Sequence, residues 1–283
     1  MEHRITPLIA ERAPWLYMLR AAYPVRRLLE RLLGLNKTVA LAQSLNAAGH
    51  AEIMGHMANM IAHDLTVRGL GNIPVHGPAL IVSNHPTGIA DGIILHHLIA
   101  QRRKDCYFFA NKDILRVLPQ MEHMIVPVEW RHDKRNATSS KETLTTYKAA
   151  TAEGRIGVIF PSGRLAKRRG LRLYERPWMA SATSLARKGN LPIIPVNIQA
   201  RNSVLFYLLD LLHPTLRDIT LFHETLNKDR QSFRVTIGEP ISPQALPRDP
   251  VQATEVLRQA TLTLAGPTTA VNLVQTPRFL LKS

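Results

Sequence analysis

In residues 79–92, ALIVSNHPTGIADG, a histidine precedes an aspartate by six positions, His85 and Asp91. An imidazole held by a carboxylate takes up a proton near pH 7, so the pair suits a general base acting on an attacking hydroxyl. A second cluster, Phe160-Pro161-Ser162-Gly163-Arg164, ends an apolar run in a turn that presents a guanidinium. Lys167, Arg168, Arg169, Arg172 and Arg176 follow closely. Guanidinium groups grip carboxylates and phosphates through paired hydrogen bonds. A proton acceptor beside an anion clamp is what an acyl or phosphoryl transferase needs. Most histidines at strand ends merely bond the backbone, and most basic runs are solvated loops. The chemistry therefore depends on a fold that brings the two clusters together.

Both clusters follow apolar runs that read as buried strands, and after Asp91 the pattern turns helical. Strands are expected near 79–82, 106–110, 124–128, 156–160, 192–198 and 232–237. Helices are expected near 92–103, 112–118, 139–153, 176–188 and 251–264. This alternation implies an α/β fold with a largely parallel sheet. In such a sheet His85 and Arg164 leave their strands at the same carboxyl edge, where ligands bind in open α/β folds. Residues 65–69 begin a strand-like segment. Gly69-Leu70-Gly71 opens a dinucleotide fingerprint that no helix completes, so these glycines, with Pro74 and Gly77-Pro78, read as turns. The expected organisation is a helical region at 1–64 able to meet a membrane surface, an α/β domain at 65–270 and a tail at 271–283.

With 283 residues, 45% of them hydrophobic, the chain can bury a full core. Its 36 Lys and Arg against 21 Asp and Glu leave a formal net charge of +15. That balance favours an anionic partner: nucleic acid, an anionic membrane surface, or phosphorylated substrates and carriers. The single cysteine, Cys106, lies in an apolar run, excludes an internal disulfide and suits a reducing compartment. Glu2, Arg4, Glu11, Arg12 and Arg20 precede any long apolar run, which argues against a signal peptide. No stretch reaches the roughly 18 to 20 apolar residues of a spanning helix. A cytoplasmic protein held peripherally at the inner face of a membrane is expected.

Two segments keep more than one reading. Val25, Leu28, Leu29, Leu32 and Leu33 share a helical face flanked by Arg26, Arg27 and Arg31, which suits an interfacial membrane helix or a helix packed on the core. Residues 204–212, VLFYLLDLL, are too short to span a bilayer and suit an acyl-chain groove, a dip into one leaflet or a core helix. Glu52, His56 and His63 lie along one helical face without a further carboxylate, so a solvated face is expected there and no metal site.

Val67-Arg68-Gly69 with Asn72-Ile73-Pro74, then Asn84-His85 through Asp91-Gly92, Phe160 to Arg164, and Leu191-Pro192-Ile193-Ile194-Pro195-Val196 occur in order. Together they resemble the blocks of the glycerolipid acyltransferase superfamily, which includes the 1-acylglycerol-3-phosphate acyltransferases, over roughly residues 65–241. Asn111-Lys112-Asp113-Ile114-Leu115, Arg131 and Gly238-Glu239-Pro240-Ile241 extend the likeness. The resemblance implies a layered α/β fold with a mixed, largely parallel central sheet flanked by helices, preceded by N-terminal helices. It implies transfer of a fatty acyl group from acyl carrier protein or coenzyme A to a lysolipid hydroxyl, with the thioester as co-substrate and no other cofactor. His85 would be the base and Asp91 its orienting partner, with no covalent acyl-enzyme. Asn84, Lys112, Arg131, Phe160, Pro161, Ser162, Gly163 and Arg164 would bind substrate.

Two departures stand out. Pro86, Thr87, Gly88, Ile89 and Ala90 separate His85 from Asp91, one residue more than is usual, and a positive φ at Gly88 would keep the aspartate in reach. The family's Phe-Pro-Glu-Gly-Thr-Arg is here Phe-Pro-Ser-Gly-Arg, without its acid, so a lyso-ornithine lipid or another lysolipid competes with 1-acylglycerol-3-phosphate as acceptor. Two other function classes remain open on the sequence. A basic nucleic-acid-binding protein accounts for the charge, but Tyr174 is the only aromatic between Arg164 and Arg176 and no nucleic-acid motif is present. A hydrolase accounts for the His-Asp pair but lacks a Gly-x-Ser-x-Gly elbow.

Overall fold

The computed structural model of the chain describes residues 1–129, 136–266 and 271–273. Helices α1 (Glu2–Arg12), α2 (Pro14–Met18), α3 (Tyr23–Leu32), α4 (Leu35–Ser44) and α5 (His50–Ile61) lead into β1 (Asp64–Arg68) and β2 (Ala79–Ser83). There follow α6 (Ile89–Ala100), β3 (Cys106–Asn111), α7 (Asp113–Val117), β4 (Ile125–Val128), α8 (Ala137–Ala152) and β5 (Ile156–Ile159). A short hairpin, β6 (Lys167–Arg169) and β7 (Arg172–Tyr174), precedes α9 (Ser181–Gly189) and β8 (Ile193–Gln199). The chain continues through α10 (Val204–Leu212), α11 (Pro214–Ile219) and α12 (Leu221–Leu226). Then come β9 (Ser232–Ile237), α13 (Pro250–Thr263) and β10 (Val271–Asn272).

The seven-stranded sheet has the order β1-β9-β8-β2-β5-β3-β4. Strands β8, β2, β5, β3 and β4 run parallel, while β9 meets β8 antiparallel and β1 follows β9. The sheet is thus mixed and mostly parallel. Every residue of β2 is buried, because helices cover both faces of this central strand. Ile81 faces a core with Ile194, Val158 and the α6 residues Ile94 and Leu98. Leu80 and Val82 face the opposite core with Tyr147, Leu185, Ala186 and Leu257. Each such fully buried side chain contributes about 1.5–3 kcal/mol relative to exposure, so β2 is a firm base for whatever leaves its carboxyl end.

The sequence left the direction of β9 open, and two of its expectations are corrected. The antiparallel turn from β8 to β9 starts β9 at the carboxyl edge, so α10–α12 stay at that edge instead of crossing the sheet. The basic run is a hairpin and not an open loop: Lys167 to Arg169 pair with Arg172 to Tyr174, and alternation buries Leu173, with Arg168 opposite it on the same face, while Lys167, Arg169 and Arg172 face out. The helix expected from 176 starts only at Ser181. Pro177 pushes the residue before it toward extended backbone, which leaves 175–180 irregular beside the hairpin.

The amphipathic face of α3 divides. Leu29 and the following Leu33 pack with Leu16, Leu209, Leu216 and Ile219, whereas Val25, Leu28 and Leu32 are exposed. Helix α10 does the same, burying Phe206 and Leu209 and exposing Val204, Leu208, Leu211 and Leu212. Glu52, His56 and His63 are exposed on and just beyond α5. Among the described residues no helix is long and apolar enough to cross a membrane.

Candidate active site

His85 follows β2, and Asp91 sits in the first turn of α6. Gly88 adopts φ 97° and ψ −126°, a conformation closed to residues with a Cβ, and this bends the longer loop so that the carboxylate returns to the ring. His85 Nδ1 lies 2.9 Å from Asp91 Oδ2. The approach is close, but the ring N–H is not aligned along it, leaving Nδ1 without a well-formed hydrogen bond. Asp91 is 0% exposed. Its Oδ2 accepts from the Thr87 N–H at 2.8 Å and the Gly88 N–H at 2.9 Å, and its Oδ1 accepts from the Thr87 hydroxyl at 2.5 Å. These donors, at the start of α6, fix the orientation of the carboxyl group. With Nδ1 turned to Asp91, the other ring nitrogen is the one offered outward, on a side chain 19% exposed.

The His85 ring stacks on Phe160, which follows β5, with centroids 4.1 Å apart. Strand β5 is the direct parallel neighbour of β2, so the two clusters meet at one edge. Ala166 donates its N–H to the His85 carbonyl at 2.9 Å, and the His85 N–H donates to Glu175 Oε2 at 3.1 Å. Glu175 Oε1 also accepts from Trp178 Nε1 at 2.9 Å. Burial pushes the Glu175 carboxyl above the ordinary carboxylate range, partly offset by donors from Trp178, His85 and Ser162. Sequence reasoning passed over Glu175; its one signal was being the sole acid between Arg164 and Arg176.

The remaining expected residues divide. Asn84 turns inward: its side-chain amide donates to the Ile198 carbonyl at 2.8 Å and accepts from the Ile198 N–H at 2.7 Å, tying the loop to β8. Pro161 is buried and its carbonyl accepts from Met179 N at 3.0 Å, while Ser162 Oγ donates to the Arg164 carbonyl at 2.8 Å. Gly163 and Arg164 are exposed at the mouth. Burial, Arg217 and Arg164 lower the affinity of Arg176 for its proton, which marks a convergence of guanidinium groups there. The charge of Arg217 is compensated by Asp210 and Asp218. Lys112 is exposed just after β3, at the same carboxyl edge. Arg131 lies outside the described residues. Cys106 starts β3 at the opposite edge, buried, with its thiol pushed up to about 12 chiefly by burial. Behind Asp91, Lys228 is fully buried and bonds Glu224 Oε2 at 2.6 Å and Asn202 Oδ1 at 2.8 Å.

Residues 64–199 match the family model described as Acyltransferase. A lyso-glycine lipid O-acyltransferase of Phocaeicola vulgatus is 23% identical over 209 residues, covering 72% of this chain and 73% of that one. A protein of the same name from Bacteroides thetaiotaomicron is 24% identical over 181 residues, covering 62% of this chain and 65% of its own length. The crystal structure of the 1-acyl-sn-glycerophosphate (LPA) acyltransferase PlsC from Thermotoga maritima aligns over 83% of this chain and 93% of that chain. Its sequence identity is 16% and the TM-score is 0.49.

Proposed function

We propose that this chain, whose residues 64–199 match the Acyltransferase family model, is an acyltransferase that moves a fatty acyl group from an acyl thioester to a lysolipid hydroxyl at a membrane surface. The observation that carries the reading is the His85–Asp91 approach of 2.9 Å at the edge where Arg164 also emerges. His85 takes the hydroxyl proton as the oxygen attacks the thioester carbonyl, and Asp91 stabilises the imidazolium. The tetrahedral intermediate then collapses, and the imidazolium returns its proton to the departing thiolate of coenzyme A or acyl carrier protein. Positioned base catalysis supplies about 10²–10⁴ in rate, so alignment and oxyanion stabilisation supply much of the remainder. No acyl-enzyme enters this scheme: Cys106 is buried at the far edge with a thiol that stays protonated.

Arg164 and Arg176 suit an anionic headgroup, and the loss of the family's acid at Ser162 argues for an acceptor other than 1-acylglycerol-3-phosphate. The names of both curated relatives favour a glycine headgroup, and an ornithine headgroup is the alternative of similar chemistry. The exposed apolar residues of α3 and α10 flank the packed cluster that joins the two helices. With Arg26, Arg27 and Arg31 beside them, they suit docking on an anionic leaflet, where each well-placed basic residue adds about 1 kcal/mol.

The test is acyl transfer from acyl-coenzyme A and acyl carrier protein to a panel of lysolipids on vesicles. Faster transfer to glycine- or ornithine-headed lysolipids than to 1-acylglycerol-3-phosphate is expected. Preference for the phosphate acceptor contradicts the headgroup assignment, and thioester hydrolysis that no acceptor slows contradicts transferase activity. The same vesicles report docking: wild-type protein should co-sediment with anionic vesicles and Leu28→Asp/Leu211→Asp should not.

A further inference from the structure

We propose that Glu175 is a positioning residue for His85: its buried carboxylate fixes the His85 peptide, supplying from the segment after β7 the acid that the Phe-Pro-Ser-Gly turn lacks. The inference rests on reading His85 as the base. Both polar groups of the His85 backbone are held by one excursion of the chain, the N–H by Glu175 and the carbonyl by Ala166. The excursion is itself held down. Arg176 Nε donates to the Leu165 carbonyl at 2.9 Å, and Arg258 of α13 donates to the carbonyls of Glu175 and Arg176 at 3.1 and 3.4 Å. Glu175 is 9% exposed and forms no salt bridge among the described residues, although exposed basic residues surround it in sequence.

A buried carboxylate without a cation is costly. Packing alone would be served better by an apolar side chain, so its persistence beside the proposed base points to a task. The bonds describe that task. One oxygen takes the His85 N–H and the other takes Trp178 Nε1, while Ser162, which has one proton to give, stands within reach of both Glu175 and the Arg164 carbonyl. Position 162 and Glu175 therefore share one space. A carboxylate on either side chain would reach the same place beneath His85, so moving the acid from the turn to the hairpin segment leaves the His85 loop supported. Without it, the His85 N–H has no acceptor and the imidazole loses its fixed line to Asp91 and the acceptor hydroxyl.

The experiment compares Glu175→Gln, Glu175→Ala and the exchange Ser162→Glu/Glu175→Ser with wild type and His85→Ala, measuring kcat, KM for acceptor and Tm. An amide has a single acceptor oxygen for the two donors that Glu175 satisfies, so Glu175→Gln should lower kcat and Glu175→Ala should lower it further. The larger loss should be on the order of 10²-fold, the scale of a misplaced catalytic group, with KM unchanged. The exchange should recover most of the lost kcat, which a merely structural role would not produce. Wild-type kcat in Glu175→Gln, where His85→Ala has lost activity, overturns the inference. So does an exchange variant that regains wild-type Tm without regaining kcat. Full activity in His85→Ala would instead remove the reading on which the inference rests.

Discussion

At the amino edge of the sheet, Arg103 is buried with every guanidinium N–H engaged. Nε and Nη2 hold the Asp105 carboxylate at 2.6 and 2.7 Å, Nη1 reaches the carbonyls of Pro74 and Gly77, and Nη2 also reaches that of Gly154. This one side chain gathers the segments that enter β2, β3 and β5. At the carboxyl edge of the same strands, His85 approaches Asp91 without alignment, Gly88 holds a positive φ, and Glu175 keeps a buried carboxyl that forms no salt bridge among the described residues. One edge satisfies its buried charge completely. The other leaves groups poised, at a cost in stability that active sites commonly carry. Substitutions at the two edges should therefore separate stability from activity.

The largest separation is expected at Arg103. Arg103→Met leaves the carbonyls of Pro74, Gly77 and Gly154 without this donor and the part-exposed Asp105 without its guanidinium, and each buried acceptor left unpaired costs about 1–3 kcal/mol. Denaturant unfolding should show that loss, while kcat per folded molecule stays at the wild-type value. Asp91→Asn should do the reverse. It keeps the side-chain shape but removes the charge that stabilises the imidazolium, so kcat should fall on the order of 10²-fold with little change in the unfolding midpoint. Gly88→Ala sharpens the comparison because it touches both properties. A Cβ there meets Leu165 at 3.3 Å and Leu221 at 3.4 Å in a backbone conformation that alanine rarely adopts. About 1–3 kcal/mol of stability should be lost, together with activity, as Asp91 shifts from the ring.

The smallest effect concerns acid. The Arg103 hydrogen bond holds the Asp105 carboxyl below its ordinary value of 3.8, so the unfolded state binds more protons as pH falls through and below that value. The stability this pair gives is present at neutral pH and lost on acidification. Because the Asp105 side chain is 40% exposed, the effect should be below about 1 kcal/mol. Thermal melts between neutral pH and pH 3 should show a shallower acid decline in Asp105→Asn than in wild type.

The parallel part of the fold was legible because its strands are mainly apolar runs, as in β2, β3, β5 and β8, and alternation with helices leaves few other topologies. The direction of β9 was not. SFRVTI carries a strand's alternation but nothing that distinguishes a return at the same edge from a crossover. In the site, the pairing of His85 with Asp91 was suggested by residue type at a strand end, while the role of Gly88 in bending their loop was drawn from the resemblance to the acyltransferase blocks. Asn84 shows the limit of that method: its type fits a binding residue, yet both ends of its amide are bound to Ile198, 114 positions away. Glu175 shows the converse. Its place beside His85, 90 positions earlier, depends on a hairpin inside a basic run and on Pro177 delaying α9, and neither is visible in local periodicity.

The most direct test of the central claim is the rate of acyl transfer from an acyl thioester to a vesicle-borne lysolipid by His85→Ala, with folding checked by its unfolding midpoint. A fall of about 10²–10⁴-fold in a protein as stable as wild type is the expected result. Transfer at the wild-type rate would contradict the assignment of the proton acceptor and, with it, the mechanism.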